Sequence, residues 1–137
     1  MGAAFRFALA NAMRAGEIVN LKPGDVVGSV AKVDGKTGPR EVPLTAEGLA
    51  VIEQLLPQKH RHIFGLSSTQ LDALFRKATK RAMVEGLHFH DSRAESLTRL
   101  ARKVDVMTLA RISGHKDIGL LFRVYYRESA ADIAARL

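Results

Sequence analysis

Apolar residues follow a helical spacing along most of this chain and a strand-like pattern in one stretch, residues 26–44, and this arrangement limits the folds that the chain can adopt. Outside residues 26–44 the apolar residues recur at helical spacing, as in Leu71, Leu74 and Phe75. Within 26–44 β-branched residues are frequent, and Asp34-Gly35 is typical of a hairpin turn. We therefore predict helices, one small antiparallel sheet and then more helices, which is an α+β fold that is mainly α.

Capping residues and helix stops predict the individual elements. The predicted helices cover 3–13 (with Phe5, Leu9 and Ala12 on one stripe), 17–21, 45–56 (with Leu49, Ile52 and Leu56 inward), a segment capped by Ser67, segments capped by Asp91 and Asp105, 118–126, and a last segment capped by Ser129. The predicted strands cover 26–33 and 41–44, with a short strand at Ile63-Phe64.

Length and composition exclude several classes of protein. The chain has 137 residues, of which 47% are hydrophobic, so one domain with a buried core is expected rather than a disordered chain. Cysteine is absent, which rules out disulfides and cysteine-ligated zinc. No apolar run approaches the roughly 20 residues of a membrane span, and the first residues do not resemble a secretory signal. We therefore expect a cytoplasmic protein.

The chain carries a formal net charge of +7 at neutral pH. A basic globular protein suggests a polyanionic partner, of which nucleic acid is the first candidate and an anionic membrane surface the second. Two basic runs lie on predicted helices and could follow a DNA backbone or simply be solvated: Arg76, Lys77, Lys80 and Arg81 in one, and Arg99, Arg102 and Lys103 in the other.

The segment 87–93 has an unusual polar composition. His88, His90 and Asp91 could bind a metal ion, with His115 as a further ligand, and this would predict a metallohydrolase. The alternative is a surface histidine followed by a helix-capping aspartate. His90 and Arg93 lie three residues apart at a helix start, so the two side chains can face one site.

Five segments, taken in order, resemble the catalytic domain of the tyrosine recombinases, the phage-integrase family. The segment A-M-R-A-G-E-I-V-N-L (12–21) is similar to the first arginine motif of that family, and K-T-G-P-R-E-V-P-L (36–44) to its hairpin lysine motif. F-H-D-S-R (89–93) is similar to its H-x-x-R motif, and I-S-G-H-K-D-I (112–118) to its L-G-H motif. Y-Y-R-E-S (125–129) is similar to the segment that contains the nucleophile.

The resemblance implies an enzyme that cleaves and rejoins DNA strands through a 3′-phosphotyrosyl intermediate, without a cofactor. Six residues would be catalytic: Arg14 and Arg93 as phosphate clamps, Lys36 as the acid for the leaving oxygen, His90 for the tyrosine proton, His115 as a hydrogen-bond donor to phosphate, and Tyr125 as nucleophile. The family usually places its tyrosine nine residues after the L-G-H histidine, which in this chain is Val124. A one-residue insertion would place Tyr125 there, and Tyr126 is the alternative.

The resemblance also implies how the chain is organised and what it binds. Family members usually carry a separate DNA-clamping domain before the first arginine, so residues 1–137 are expected to be a single catalytic domain without that N-terminal part. Double-stranded DNA is the expected partner, with assembly as a tetramer on DNA. The segment 129–137 would pack on its own core or on a neighbouring protomer. Two alternatives are a non-catalytic DNA-binding remnant of an integrase and an enzyme similar to the type IB topoisomerases.

Overall fold

The structure is a computed structural model that describes residues 1–36, 38–57 and 60–137. Its helices are α1 (Gly2–Asn11), α2 (Ala15–Asn20), α3 (Ala46–Leu55), α4 (Ser68–Arg81), α5 (Asp91–Ala101), α6 (Val106–Ser113), α7 (Ile118–Tyr125) and α8 (Ala130–Ala135). Its strands are β1 (Val26–Val27), β2 (Val30–Gly35) and β3 (Gly38–Pro43). This confirms the predicted α+β fold that is mainly α.

The sheet is antiparallel, in the order β1-β2-β3. Strands β2 and β3 form the predicted hairpin, with Val30 opposite Pro43 and Gly35 opposite Gly38. The strand predicted over 26–33 is divided, because a turn containing Gly28 at φ 60° folds Val27 back onto Val30. The hairpin therefore gains a third, short strand at its edge.

The larger hydrophobic core joins α1 and α2 to the sheet, α3 and α4. An aromatic group lies in it, with the rings of Phe5 and Phe75 5.2 Å apart and those of Phe75 and Phe89 5.7 Å apart. The stripe predicted on the first helix is wrong in part. Its buried residues are Ala4, Phe7, Ala8 and Asn11, while Phe5 is half-buried and Leu9 does not belong to the buried set.

A second, smaller core joins α5, α6 and α7, with Leu97, Leu109 and Leu121 at its centre. Ala12, at the end of α1, belongs to this second core, whereas Met13 belongs to the first. Ala12 has a positive φ of 54°, which ends α1 and turns the chain into α2. The loop that contains Arg14 therefore lies where the two cores meet.

Most of the predicted caps are confirmed. Thr45, Ser67, Asp105 and Ser129 each accept a hydrogen bond from a backbone N–H in the first turn of the helix that follows. Asp91 differs, because it is the first helical residue of α5 and its carboxylate accepts from the backbone N–H of His88 at 2.7 Å. The predicted strand at Ile63-Phe64 is wrong, since those residues form bends, with the Ile63 N–H donating to the Leu21 carbonyl.

Leu56 was predicted to face the core, but it follows the end of α3 and is 39% exposed. Gly48, Val51 and Ile52 are the buried residues of that helix. Among the described helices none has the length and apolar character needed to cross a membrane.

Candidate active site

Arg14 precedes the first turn of α2, with an extended backbone at φ −72° and ψ 150°. Its backbone N–H donates to the Glu17 carboxylate at 2.9 Å, and this bond fixes the start of the helix. Its guanidinium Nη1 is buried and has no hydrogen-bond partner among the described residues. A buried donor without a partner costs free energy, so this nitrogen is suited to an acceptor that binds there.

Arg93 is buried on the first turn of α5 and links two distant segments. Its Nη1 donates to the Ala12 carbonyl at 2.5 Å, and its Nη2 donates to the Ser113 carbonyl at 2.7 Å. Burial lowers the pKa of Arg93 to about 10, with the positive charges of Arg14 and Arg40 acting in the same direction. Arg93 therefore remains charged at neutral pH, in a position held by two backbone carbonyls.

His115 follows Gly114, whose left-handed backbone at φ 75° ends α6. The His115 Nδ1 lies 3.4 Å from Nη2 of Arg93 and 2.7 Å from the Ser113 hydroxyl. Burial lowers the pKa of His115 below its ordinary value, and the charges of Arg93, Arg14 and Arg40 lower it further. The imidazole is therefore neutral at neutral pH and faces the guanidinium group.

Arg40, on β3, was missed as a site residue, although it lies in the hairpin motif. Its guanidinium forms a two-pronged ion pair with Glu17: Nη1 contacts Oε2, and Nη2 lies 3.2 Å from Oε1. The Glu17 side chain is 1% exposed and that of Arg40 is 12% exposed. The two residues lie 23 positions apart, so only the folded chain reveals the pair.

The charges of this site do not balance. Arg14, Arg40 and Arg93 bring three guanidinium groups together, and Glu17 is the carboxylate that acts on them. Glu17 pairs with Arg40 and also acts on Arg93, so one carboxylate faces three guanidinium groups and the described residues of the cluster keep an excess of positive charge. Two like charges near one another are favourable only when an anion binds between them or beside them.

The two tyrosines at the end of α7 lie in different environments. Tyr126 donates a hydrogen bond from its hydroxyl to the Val104 carbonyl at 2.6 Å. Tyr125 is half-buried, and within the described part of the chain its hydroxyl has no hydrogen-bond partner. Burial raises the pKa of Tyr125, while the charge of Arg93 opposes that rise. Tyr125 therefore lies within the electrostatic reach of Arg93, and the hydroxyl of Tyr126 is already engaged elsewhere.

Lys36 and His90 are not brought into this cluster. Lys36 is exposed in the turn after β2, and Thr37 of the same motif lies outside the described residues. His90 precedes α5 with an exposed side chain, and its backbone carbonyl accepts from the Arg93 N–H at 3.0 Å. Lys36 directly follows β2 of the hairpin, and His90 directly precedes the helix that contains Arg93.

The residues of the metallohydrolase alternative are dispersed. His88 and Asp91 approach each other, at 3.7 Å from Nδ1 to the carboxylate, and both are exposed. Within residues 1–36, 38–57 and 60–137, no three or more His, Cys, Asp or Glu side chains are grouped so that they could hold a metal ion. His115 contacts Arg93 and Ser113 instead.

Both basic runs are exposed, the first on α4 and the second at the end of α5, where Arg102 and Lys103 follow the last helical residue. Arg76, Lys77, Lys80 and Arg81 are exposed on α4, where Arg76 lies 3.2 Å from Asp72. In the second run, Arg99 pairs with Glu95 at 2.8 Å. Exposed ion pairs of this kind contribute little to stability, so most of this positive charge is available to a partner.

Comparison with known proteins gives a consistent result. The family model described as the phage integrase family matches residues 2–132. A protein of Haemophilus influenzae named as an integrase/recombinase is 46% identical over 98% of this chain and 46% of its own length. The shufflon-specific DNA recombinase of Escherichia coli is 34% identical over 87% of this chain and 33% of its own length. The chain thus spans less than half of the length of these relatives.

Solved structures share the fold at low sequence identity. The Tn1549 transposon integrase in complex with transposon right end DNA superimposes with a TM-score of 0.81 at 17% identity, over 98% of this chain and 56% of that one. A lambda integrase dimer bound to a core site gives a TM-score of 0.75 at 16% identity, over 93% and 53%. With the fold, the family model and the relatives in agreement, the chain belongs to the phage integrase family.

Proposed function

We propose that this chain is the catalytic part of a site-specific DNA recombinase, in which Tyr125 breaks a DNA strand and the reverse reaction rejoins it. The observation that carries the proposal is the excess of guanidinium charge at Arg14, Arg40 and Arg93, with Nη1 of Arg14 unpartnered among the described residues and a half-buried tyrosine near Arg93. A phosphodiester carries one negative charge, and its pentacoordinate transition state carries about one more. Two fixed guanidinium groups match that developing charge.

Each arginine would act on phosphate in a different way. Arg93 uses one N–H of each terminal nitrogen on backbone carbonyls, and its Nη2 also contacts His115 Nδ1, so the N–H groups left for phosphate are those of Nη1 and Nε, in a fixed orientation. Arg14 offers the unpartnered Nη1. Guanidinium groups suit paired hydrogen bonds to two phosphate oxygens, a geometry that an ammonium group does not match. Removing one such donor typically reduces the rate by about 10²–10³-fold.

The proposed reaction is a transesterification at phosphorus. The Tyr125 hydroxyl oxygen forms a bond to phosphorus as the bond between phosphorus and the 5′-oxygen breaks. The phenolic proton passes to a base, for which His90 is the candidate, and the 5′-oxygen takes a proton from Lys36. In the reverse direction the 5′-hydroxyl attacks the phosphotyrosine and the tyrosine regains its proton. The product strand ends are therefore a 3′-phosphotyrosine and a free 5′-hydroxyl.

DNA is proposed as the partner from charge and from the relatives. The net charge of +7 and the exposed basic face of α4 favour a polyanion. One relative is named a shufflon-specific DNA recombinase, and structural neighbours were solved on DNA. Because phosphate contacts release counterions, we expect the affinity for duplex DNA to fall steeply with salt. Assembly as a tetramer on DNA belongs to the same proposal.

The test uses a library of DNA duplexes that share flanking sequences and have a randomised core. Each duplex carries one nick, and the position of the nick differs across the library so that every core position is followed by a nick in some members. A nick lets the cleaved fragment diffuse away, so that a covalent complex accumulates and can be isolated under denaturing conditions. We expect wild-type protein to form an adduct that sequencing assigns to a narrow set of sites. Tyr125→Phe should form none.

Tyr126→Phe is the matched control, because it removes a hydroxyl from the neighbouring tyrosine. It loses the bond to Val104, which costs about 1 kcal/mol of stability, but keeps the proposed nucleophile. An adduct that survives Tyr125→Phe would contradict the assignment of the nucleophile. Salt-sensitive DNA binding without any adduct across the library would instead favour the non-catalytic, DNA-binding alternative.

A further inference from the structure

Ser113 is a fully buried residue at the end of α6, and its hydroxyl lies beside the imidazole of His115. The hydroxyl oxygen is 2.7 Å from His115 Nδ1 and 3.3 Å from the His115 backbone nitrogen, which donates to it. Its third neighbour is the Ala110 carbonyl, at 3.5 Å. In the motif that this segment resembles, leucine occupies the position of Ser113. The polar contact to the imidazole is therefore a property of this chain that the motif does not supply.

The direction of each hydrogen bond around Nδ1 follows from the chemistry of its neighbours. Arginine has N–H donors and no acceptor, so Nδ1, which lies 3.4 Å from Arg93 Nη2, can only accept from it. A serine hydroxyl can accept one bond while it donates another. It accepts from the His115 backbone N–H and donates its proton to Nδ1, which is the much shorter contact. The Arg93 donor thus requires Nδ1 to be unprotonated, and the Ser113 hydroxyl, which can donate as well as accept, is compatible with that state.

We propose that Ser113 is a positioning residue that holds His115 in the neutral tautomer with its proton on Nε2. Nε2 is on the ring edge opposite to Ser113 and Arg93, so the proton is directed away from the protein contacts. The consequence for catalysis rests on the proposed function. In that reaction, His115 would present an N–H donor to a phosphate oxygen without any proton transfer. The backbone carbonyl of Ser113 accepts from Arg93, so one residue orients both groups.

The first test reads the tautomer in the wild-type protein, uses a variant only to assign the signals, and needs no DNA. Long-range proton–nitrogen correlation spectra of protein with ¹⁵N-labelled histidine distinguish a protonated ring nitrogen from an unprotonated one. His115→Gln assigns the signals among the five histidines. We expect a protonated Nε2 and an unprotonated Nδ1 at neutral pH. A protonated Nδ1 would overturn the proposal.

The second test titrates His115 in Ser113→Ala, a substitution that removes only the hydroxyl and adds no volume to the buried site. The charged groups that face His115 are Arg93, Arg14 and Arg40, and they remain in the variant. A donor to Nδ1 stabilises the neutral imidazole, so its loss should raise the pKa of His115. If Ser113 instead accepts a proton from Nδ1, the pKa would fall. An unchanged pKa would also contradict the proposal.

The third test follows cleavage in a single turnover on the selected DNA site. Loss of one hydrogen bond that orients a neutral donor should slow cleavage about threefold to tenfold, with the affinity for DNA unchanged. Ser113→Thr, which retains the hydroxyl, should recover most of the rate and the wild-type pKa of His115. Ser96→Ala is the matched control, because Ser96 is also fully buried and its hydroxyl has no partner among the described residues.

The outcomes separate this inference from the proposed function. If the protein cleaves no DNA, the tautomer and the titration still test the role of Ser113. If cleavage by Ser113→Ala equals that of wild type and of Ser96→Ala, the positioning role is wrong even though the recombinase assignment stands. A loss of cleavage together with an unchanged His115 titration would indicate a packing defect and would also contradict the proposal.

Discussion

Replacement of Arg40 by glutamine tests whether the buried ion pair with Glu17 holds the hairpin against the start of α2. The substitution leaves the Glu17 carboxylate, which is 1% exposed, without its charged partner. Among the described residues, its one remaining hydrogen bond comes from the Arg14 N–H at 2.9 Å. Removing one member of a buried pair typically costs about 3–5 kcal/mol, because the other charge stays buried and uncompensated. For a domain whose total stability is about 5–15 kcal/mol, that is a large fraction.

The assay is urea unfolding, with thermal unfolding as a second measurement. We expect the unfolding midpoint to move while the slope stays constant, which identifies a change of stability in the folded state. A loss of about 3 kcal/mol in a chain of this length lowers Tm by about 10 °C. Arg99→Gln is the matched control, because the Arg99–Glu95 pair is more than half exposed and should cost less than about 1 kcal/mol.

A double-mutant cycle makes the argument refutable. Once both charges are gone, no uncompensated charge remains, so Glu17→Gln combined with Arg40→Gln should be more stable than Arg40→Gln alone. If the two substitutions destabilise additively, the pair does not interact as the geometry indicates. If Arg40→Gln lowers the free energy of unfolding by no more than Arg99→Gln does, a buried carboxylate without its charged partner does not destabilise this protein as argued.

Three other predictions concern the neighbouring residues. Gly114→Ala should destabilise the protein by about 1 kcal/mol or more, measured by urea unfolding, because φ is 75° and a Cβ would lie 2.9 Å from the Arg40 side chain. Because the pKa of His115 is lowered in the folded protein, the unfolded chain binds this proton first as the pH falls. The free energy of unfolding should therefore decrease below about pH 6.5. His115→Gln should reduce this pH dependence, which unfolding measured at several pH values would show. Arg93→Lys should lose stability as well as cleavage, since lysine cannot reach both carbonyls, whereas Arg14→Lys should lose cleavage with little change in Tm.

Local hydrogen bonds explain why much of the helix pattern could be predicted from the sequence. A capping serine, threonine or aspartate satisfies a backbone N–H only three residues away, so the signal lies within one short window. Ser67, Asp105 and Ser129 were identified in this way, and Gly114 was identified as the end of α6. The hairpin signal was equally local, although Asp34 and Gly35 do not form the predicted turn: they end β2, where they pair with Pro39 and Gly38.

The errors of the sequence analysis arise where tertiary packing decides. Ile63 is buried and its backbone N–H donates to the Leu21 carbonyl, but within the described part of the chain this apolar pair has no strand beside it to pair with. The first helix buries a stripe that includes Asn11, because the Asn11 side chain accepts from the Thr45 backbone at 2.8 Å. A polar residue on an apolar face gives no sequence signal until its distant partner is known.

The candidate site likewise contains residues that the sequence identified and contacts that only the folded structure shows. The resemblance to the family identified Arg14, Arg93, His115 and Tyr125 as candidates, and the fold brings these four together. Arg40 and Ser113 stood within the quoted motifs, but their contacts to Glu17 and to the His115 ring depend on side-chain positions. The adjacent tyrosines differ in one hydrogen bond, from the Tyr126 hydroxyl to the Val104 carbonyl, and the sequence gives no sign of that contact.

The anchoring of Arg93 explains why such widely separated motifs must occur together. Its two terminal nitrogens bond to carbonyls of residues 81 positions before it and 20 positions after it, at the ends of α1 and α6. A helix end has carbonyls without helical partners, and a guanidinium can satisfy two of them at once. The same charge that would bind phosphate thus also closes two helices and joins the two cores. A substitution at Arg93 therefore changes both the chemistry and the framework, and the unpartnered Arg14 is the residue at which the chemistry can be tested alone.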